Sequence, residues 1–144
     1  MIKELTNAEI EKINEVLTSK DSFRHNMQIK LPGSLDWSLR INFKKLQDIY
    51  IIYKQACQDI GKKFIAEDKV DKDGQVKEIY ALEYKKAIYE IMMQKNEIDF
   101  RPLKVDDIMN LNLSSVEKDV LYFMCETDDI DEHQKIDFNN NHEV

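Results

Sequence analysis

Only three of the 21 basic residues are arginines, and their planar forks suit them to gripping a carboxylate or phosphate with two parallel hydrogen bonds. Arg24 precedes a segment with strand-like alternation, Arg40 opens a long helical pattern, and Arg101 sits in a second alternating segment. If those segments pair, the arginines gather at one end of the molecule. With His25, Lys30 and Lys44 they would then bind an anionic ligand or the acidic face of a partner. Trp37, in Ser34-Leu35-Asp36-Trp37-Ser38, belongs to the same end. It either caps the core or anchors an interface, and capping is the expected state because large aromatics are highly buried on average. The competing view of the arginines is of separate solvated charges in local ion pairs, which contribute little.

Other chemistries find fewer supports. Lys69 to Tyr80 imitates a calcium-binding EF-hand loop, with Asp71, Asp73, Gly74 and Val76 in register. Lys69 and Tyr80, however, stand where the two strongest carboxylate ligands belong, so a polar hairpin turn is expected instead. His25, His133 and His142 are scattered and lack zinc-ligand spacing. Cys57 and Cys125 both lie in apolar runs, where a thiol behaves as a small hydrophobe rather than a nucleophile. Three glycines offer no phosphate loop. A non-enzyme without cofactor or metal is expected on these grounds.

Charge narrows the partners. Residues 126–144 carry seven acids against Lys135 alone, a charge of −6 out of a total of −7. The remaining body has 21 acids and 20 bases. It therefore projects no field that would draw duplex nucleic acid. Uncharged apolar stretches such as 49–53 are far shorter than the ~20 residues a membrane span needs. Met1-Ile2-Lys3-Glu4 lacks a secretory apolar region, which leads us to expect a host-cytoplasmic location.

The positioning elements follow from periodicity. Thr6-Asn7-Ala8-Glu9 is a capping box, stapled by Leu5 and Ile10, and predicts a helix over about 7–18. Met27, Ile29 and Leu31 alternate with Gln28 and Lys30 as in a half-buried strand. Leu39, Phe43, Leu46, Tyr50, Tyr53, Cys57, Ile60 and Phe64 then repeat at alternating spacings of four and three. Such a heptad seam predicts a helix from about Ser34 to Ile65, roughly 45 Å long. Flanking apolar residues, including Ile41, Ile49, Ile51 and Ile52, widen the stripe and predict self-association through the hairpin. After the Asp71–Gly74 turn, a second stripe through Val76, Tyr80, Tyr84, Ala87 and Ile91 predicts an antiparallel return helix to about Lys95. Ile98, Phe100 and Pro102 resemble residues 27–31 in pattern, and the two segments are expected to form a two-stranded ribbon. A helical turn over 105–111 and a capped helix after Ser114-Ser115-Val116-Glu117 complete a mainly α, single-domain body over 1–126. Residues 127–144 lack a core-forming pattern and are expected to be a disordered acidic tail.

Several of these motifs recur together elsewhere. Ile29-Lys30-Leu31-Pro32, the helical Arg40-Ile41-Asn42-Phe43-Lys44-Lys45-Leu46, an Asp-Gly turn, Glu97-Ile98-Asp99-Phe100 and Leu121-Tyr122-Phe123-Met124 occur in that order. The arrangement resembles a group of small non-enzymatic proteins of tailed phages and prophages of low-GC bacteria, over about residues 5–125. The acidic tail and Pro32-Gly33-Ser34 depart from that group's pattern. The resemblance implies a non-catalytic phage-type protein that binds a host or phage component. A stoichiometric counter-defence inhibitor or sequestering protein is the leading expectation, and a virion-morphogenesis factor the alternative.

Overall fold

The computed structural model describes residues 1–19, 31 and 33–126. Among these, strand β1 (Ile2–Thr6) leads into helix α1 (Asn7–Thr18), followed by the long α2 (Gly33–Ala66). A short 3₁₀ turn (Glu78–Tyr80) opens α3 (Ala81–Met92), and β2 (Lys95–Asp99), α4 (Val105–Met109) and α5 (Ser115–Tyr122) follow. The mainly helical architecture with a long hairpin and a small ribbon is therefore as the periodicity indicated.

The ribbon's strands differ from expectation. β2 pairs antiparallel with β1, in a register that sets Ile2 opposite Asp99 and Thr6 opposite Lys95. Of residues 27–31, the expected partner, 27–30 lie outside the described residues and Leu31 is not in a strand. β2 ends at Asp99, and Phe100 closes the pairing by exchanging backbone hydrogen bonds with Met1, after which α2 takes over the backbone of Arg101. Asn42, fully buried, donates from Nδ2 to the Arg101 carbonyl at 2.9 Å and accepts the Arg101 N–H at Oδ1 at 2.8 Å. One side chain thus stands in for the next rung of a ladder.

The capping box forms as its residues dictate. Thr6 Oγ1 accepts from the Glu9 N–H, while Glu9 Oε1 accepts from the Thr6 N–H. Thr6→Ala should therefore cost about 1 kcal/mol of stability, measured as a small fall in melting temperature. Asn7 extends the junction, donating to the Ile91 carbonyl and accepting from Asn96. The start of α1 is so fastened to the end of α3.

The core lies at one end of the hairpin. Leu35, Leu39, Phe43 and Leu46 of α2 pack with Leu5, Ile10, Phe100, Ile108, Leu121 and Met124. Further along α2, full burial is confined to Tyr53 and Phe64. Phe64 meets the edge of Tyr84 in α3 at a centroid distance of 5.3 Å. No residue of α3 itself is fully buried. Past the contacts that α1 makes at Tyr53, Lys54 and Ile91, the far parts of α2 and α3 form an arm held by their own contact.

Candidate functional site

Helix α2 positions Trp37, Arg40 and Lys44. Each residue advances about 100° around an α-helix, so these three share a stripe, while Leu35, Leu39, Asn42 and Leu46 turn into the core. Trp37 is 57% exposed. This corrects the expectation that it caps the core: two residues before Leu39, it falls on the opposite side of the helix. The stripe continues to Ile51, which is exposed beside Ile52.

The two cations on this stripe are already engaged. Arg40 Nε donates to Asp36 Oδ2 at 3.0 Å, and Lys44 pairs with Asp48 one turn further on. All four side chains are largely exposed, and such pairs open at a cost of roughly 0–1 kcal/mol. The sequence of charge along the stripe is minus, plus, plus, minus. A compact anion would have to compete with two built-in carboxylates, whereas a protein face of mixed charge can exchange with them pair for pair.

Arg101 is exposed, and Asn42 holds its backbone. Asn42 is two residues from both Arg40 and Lys44, about 200° around the helix. The structure thus brings Trp37, Arg40 and Lys44 together and puts Arg101 across α2 from them. Arg24, with His25 and Lys30, lies outside the described residues.

A second cluster joins α1 to α2. Glu11 Oε1 accepts from Lys54 Nζ at 2.7 Å and Oε2 from the Tyr53 hydroxyl at 2.9 Å. Lys54 also lies over the rings of Tyr53 and Tyr50, at 5.3 and 5.5 Å from their centroids. The hydrogen bond from Lys54 pulls the Glu11 carboxyl below its ordinary 4.5, outweighing its burial, with Tyr53 adding to the effect. The same bond raises Lys54 above 10.5. Burial, then the bond to Glu11, pushes Tyr53 up. Sequence periodicity had marked Tyr53 as core but gave no sign of its polar partner on another helix.

The pH dependence follows. A carboxyl whose folded value is depressed stabilises the fold above its unfolded value and loses that contribution as pH falls through the folded one. Raised groups lose theirs as pH climbs through their folded values. Wild type should therefore exceed Glu11→Gln by roughly 1 kcal/mol on a plateau between about pH 5 and 10, discounted for partial exposure of the pair. The gap should close in acid. Chemical denaturation at pH 7 and pH 3 measures it.

The EF-hand-like loop uses its first carboxylate on itself. Asp71 Oδ1 accepts from the N–H groups of Asp73 and Gln75, and Gly74 takes the positive φ of 78° that the turn requires. Lys69, in place of a ligand, bonds Glu83 and Glu67 at 2.7 and 2.9 Å, and those carboxylates hold its ammonium well above the usual lysine range. Between α2 and α3 runs a groove of about 350 Å³ with Ile60, Phe64, Ala87 and Ile91 in its walls and Lys63, Glu83 and Glu90 among its polar residues. No group of three or more metal-binding side chains occurs among the described residues, and no described helix is long and apolar enough to cross a membrane.

No family model, curated protein or solved structure matches this chain.

Proposed function

We propose that the protein acts by binding another protein stoichiometrically through the solvent face of α2 around Trp37, without catalysing a reaction. The observation that carries this reading is a tryptophan 57% exposed on one helical stripe with Arg40 and Lys44. Tryptophan and arginine are enriched among residues that dominate binding energy at protein interfaces. The weakly held ion pairs around them favour a partner of mixed charge, since each can be exchanged rather than merely broken.

The use of Glu11, Lys54 and Tyr53 on one another, tying α1 to α2, supports a structural role for this cluster of an acid, an amine and a phenol. With the motif order set out above, the concrete form we propose is a phage-type counter-defence inhibitor or sequestering protein of the host cytoplasm. Capture from infected cells tests it. A host immune protein held in equimolar amount through Trp37 supports inhibition. Recovery of tail or capsid proteins instead supports an assembly role.

A further inference from the structure

The outer face of α3 carries a seam that the fold leaves uncovered. Leu82, Lys86 and Tyr89 line up on α3 at spacings of four and three, and Ile79 in the 3₁₀ turn before it and Met93 just past its end continue the pattern at spacings of three and four. All five are exposed, Ile79 and Leu82 at 81%. Tyr84, Ala87 and Ile91, which meet α2 or line the groove beside it, lie on the opposite side of α3. Among α1, α2, α3 and α5, α3 is the most apolar on average, yet it alone buries no residue fully. Four large exposed apolar side chains, two on each side of Lys86, are the kind of strip that marks an interaction site.

We propose that this seam pairs with the same seam of a second copy, α3 against α3 in parallel and in register, about a two-fold axis along the helices. The proposal concerns a different face from the Trp37 stripe and stands independently of it. Heptad chemistry and charge select the occupant. Within α3, Lys86 takes the first core position and Leu82 and Tyr89 the second, with Ile79 and Met93 at the two ends of the seam. Lys86 is the one polar core residue, and a single lysine there fixes register at a cost in stability.

The flanks agree. Parallel pairing sets Lys85 against Glu90 of the partner subunit, opposite in sign. It also brings Glu78 near the partner's Glu83, but Glu83 is already bonded to Lys69 at 2.7 Å, so that approach does not meet a bare charge. Antiparallel pairing would instead put the edge carrying Glu83 and Glu90 against the same acidic edge of the copy, an arrangement that like charges disfavour.

Sedimentation equilibrium of the full chain, across concentrations up to about 100 µM for an interface this short, tests the proposal. Wild type should show the mass of two 17.1 kDa chains at the upper concentrations. Leu82→Asp, at a position 81% exposed, should keep the helical circular dichroism and weaken association at least a hundredfold. Lys85→Glu should weaken it about tenfold, and adding Glu90→Lys to the same chain should restore it. A wild-type chain that stays monomeric overturns the proposal and leaves the seam to a different protein. Undiminished association of folded Leu82→Asp, or failure of the double charge swap to restore pairing, overturns it equally.

Discussion

Replacing Asn42 with leucine should lower the melting temperature by about 10 °C, the largest fall expected from any single polar substitution in this chain. Leucine keeps asparagine's branched shape but is larger, so at this fully buried site some overpacking against Leu39, Phe43 and Leu46 adds to the loss of hydrogen bonding. What is lost is the pair of bonds to the Arg101 N–H and carbonyl, at 2.8 and 2.9 Å. Each backbone group left without a partner costs roughly 1–3 kcal/mol when buried, so the sum is about 3 kcal/mol or more. That is a large fraction of the roughly 5–15 kcal/mol that holds a domain of this size. Asn42→Asp should be worse still, because it keeps the acceptor, loses the donor and buries a charge. Asn112→Ala, at an exposed loop position, provides the control and should change stability by less than about 0.5 kcal/mol. Thermal melts of the three variants decide the matter, and an Asn42→Leu chain as stable as wild type would show that the clasp on residue 101 is dispensable.

The consequence reaches beyond stability. Asn42 and Lys45, which donates to the Asp99 carbonyl, fix the chain leaving β2 against the first half of α2. From there Leu103 bonds to the Met124 carbonyl and bridges to Cys125, so the segment after α5 is set by the same anchor. Loss of Asn42 should therefore loosen β2, α4 and α5 together, visible as faster amide exchange in all three.

Long-period features were legible in the sequence. The eight-residue seam from Leu39 to Phe64 placed α2 within about a residue at each end, because a pattern sustained over several heptads admits one solution. Thr6, Glu9 and Ser114 marked helix starts because their side chains bond the backbone only three residues away, and Glu117 because its carboxylate accepts from the Ser114 hydroxyl. Contacts distant in sequence were another matter. β1 was hidden because Leu5 and Thr6 are both buried and break any alternation, and Leu5 was already accounted for as a helix staple. Asn42 is not part of the apolar seam, and nothing local reveals that it is buried or that its partner is Arg101, 59 positions away. The position of Trp37 was available from helical phase: set two residues before Leu39, it had to face away from the core. The average burial of tryptophan was the weaker guide. The seam on α3 was not legible because apolar residues fall on more than one face of this stretch, and only the structure separates Leu82 and Tyr89 from the inner Tyr84, Ala87 and Ile91.

Trp37→Ala measures the account's central claim most directly. The side chain is largely outside the core and its helix is long and well packed at this end, so truncation should leave the melting temperature within about 0.5 kcal/mol of wild type in stability terms. If the stripe is the binding face, the same change should remove about 2 kcal/mol or more of binding free energy, a loss of some thirtyfold, since exposed tryptophans that dock into a partner are among the costliest to truncate. Arg40→Ala should have a smaller effect in the same direction, moderated by release of Asp36 from its present pairing. Lys72→Ala, on the exposed hairpin turn, should bind as wild type does. The decisive measurement is quantitative capture from infected cells with wild-type, Trp37→Ala and Lys72→Ala chains in parallel, followed by titration of the protein recovered. The account predicts one partner held at near-equimolar ratio by the wild-type and Lys72 chains and lost, by tenfold or more, from the Trp37 chain. Equal recovery on all three would contradict it.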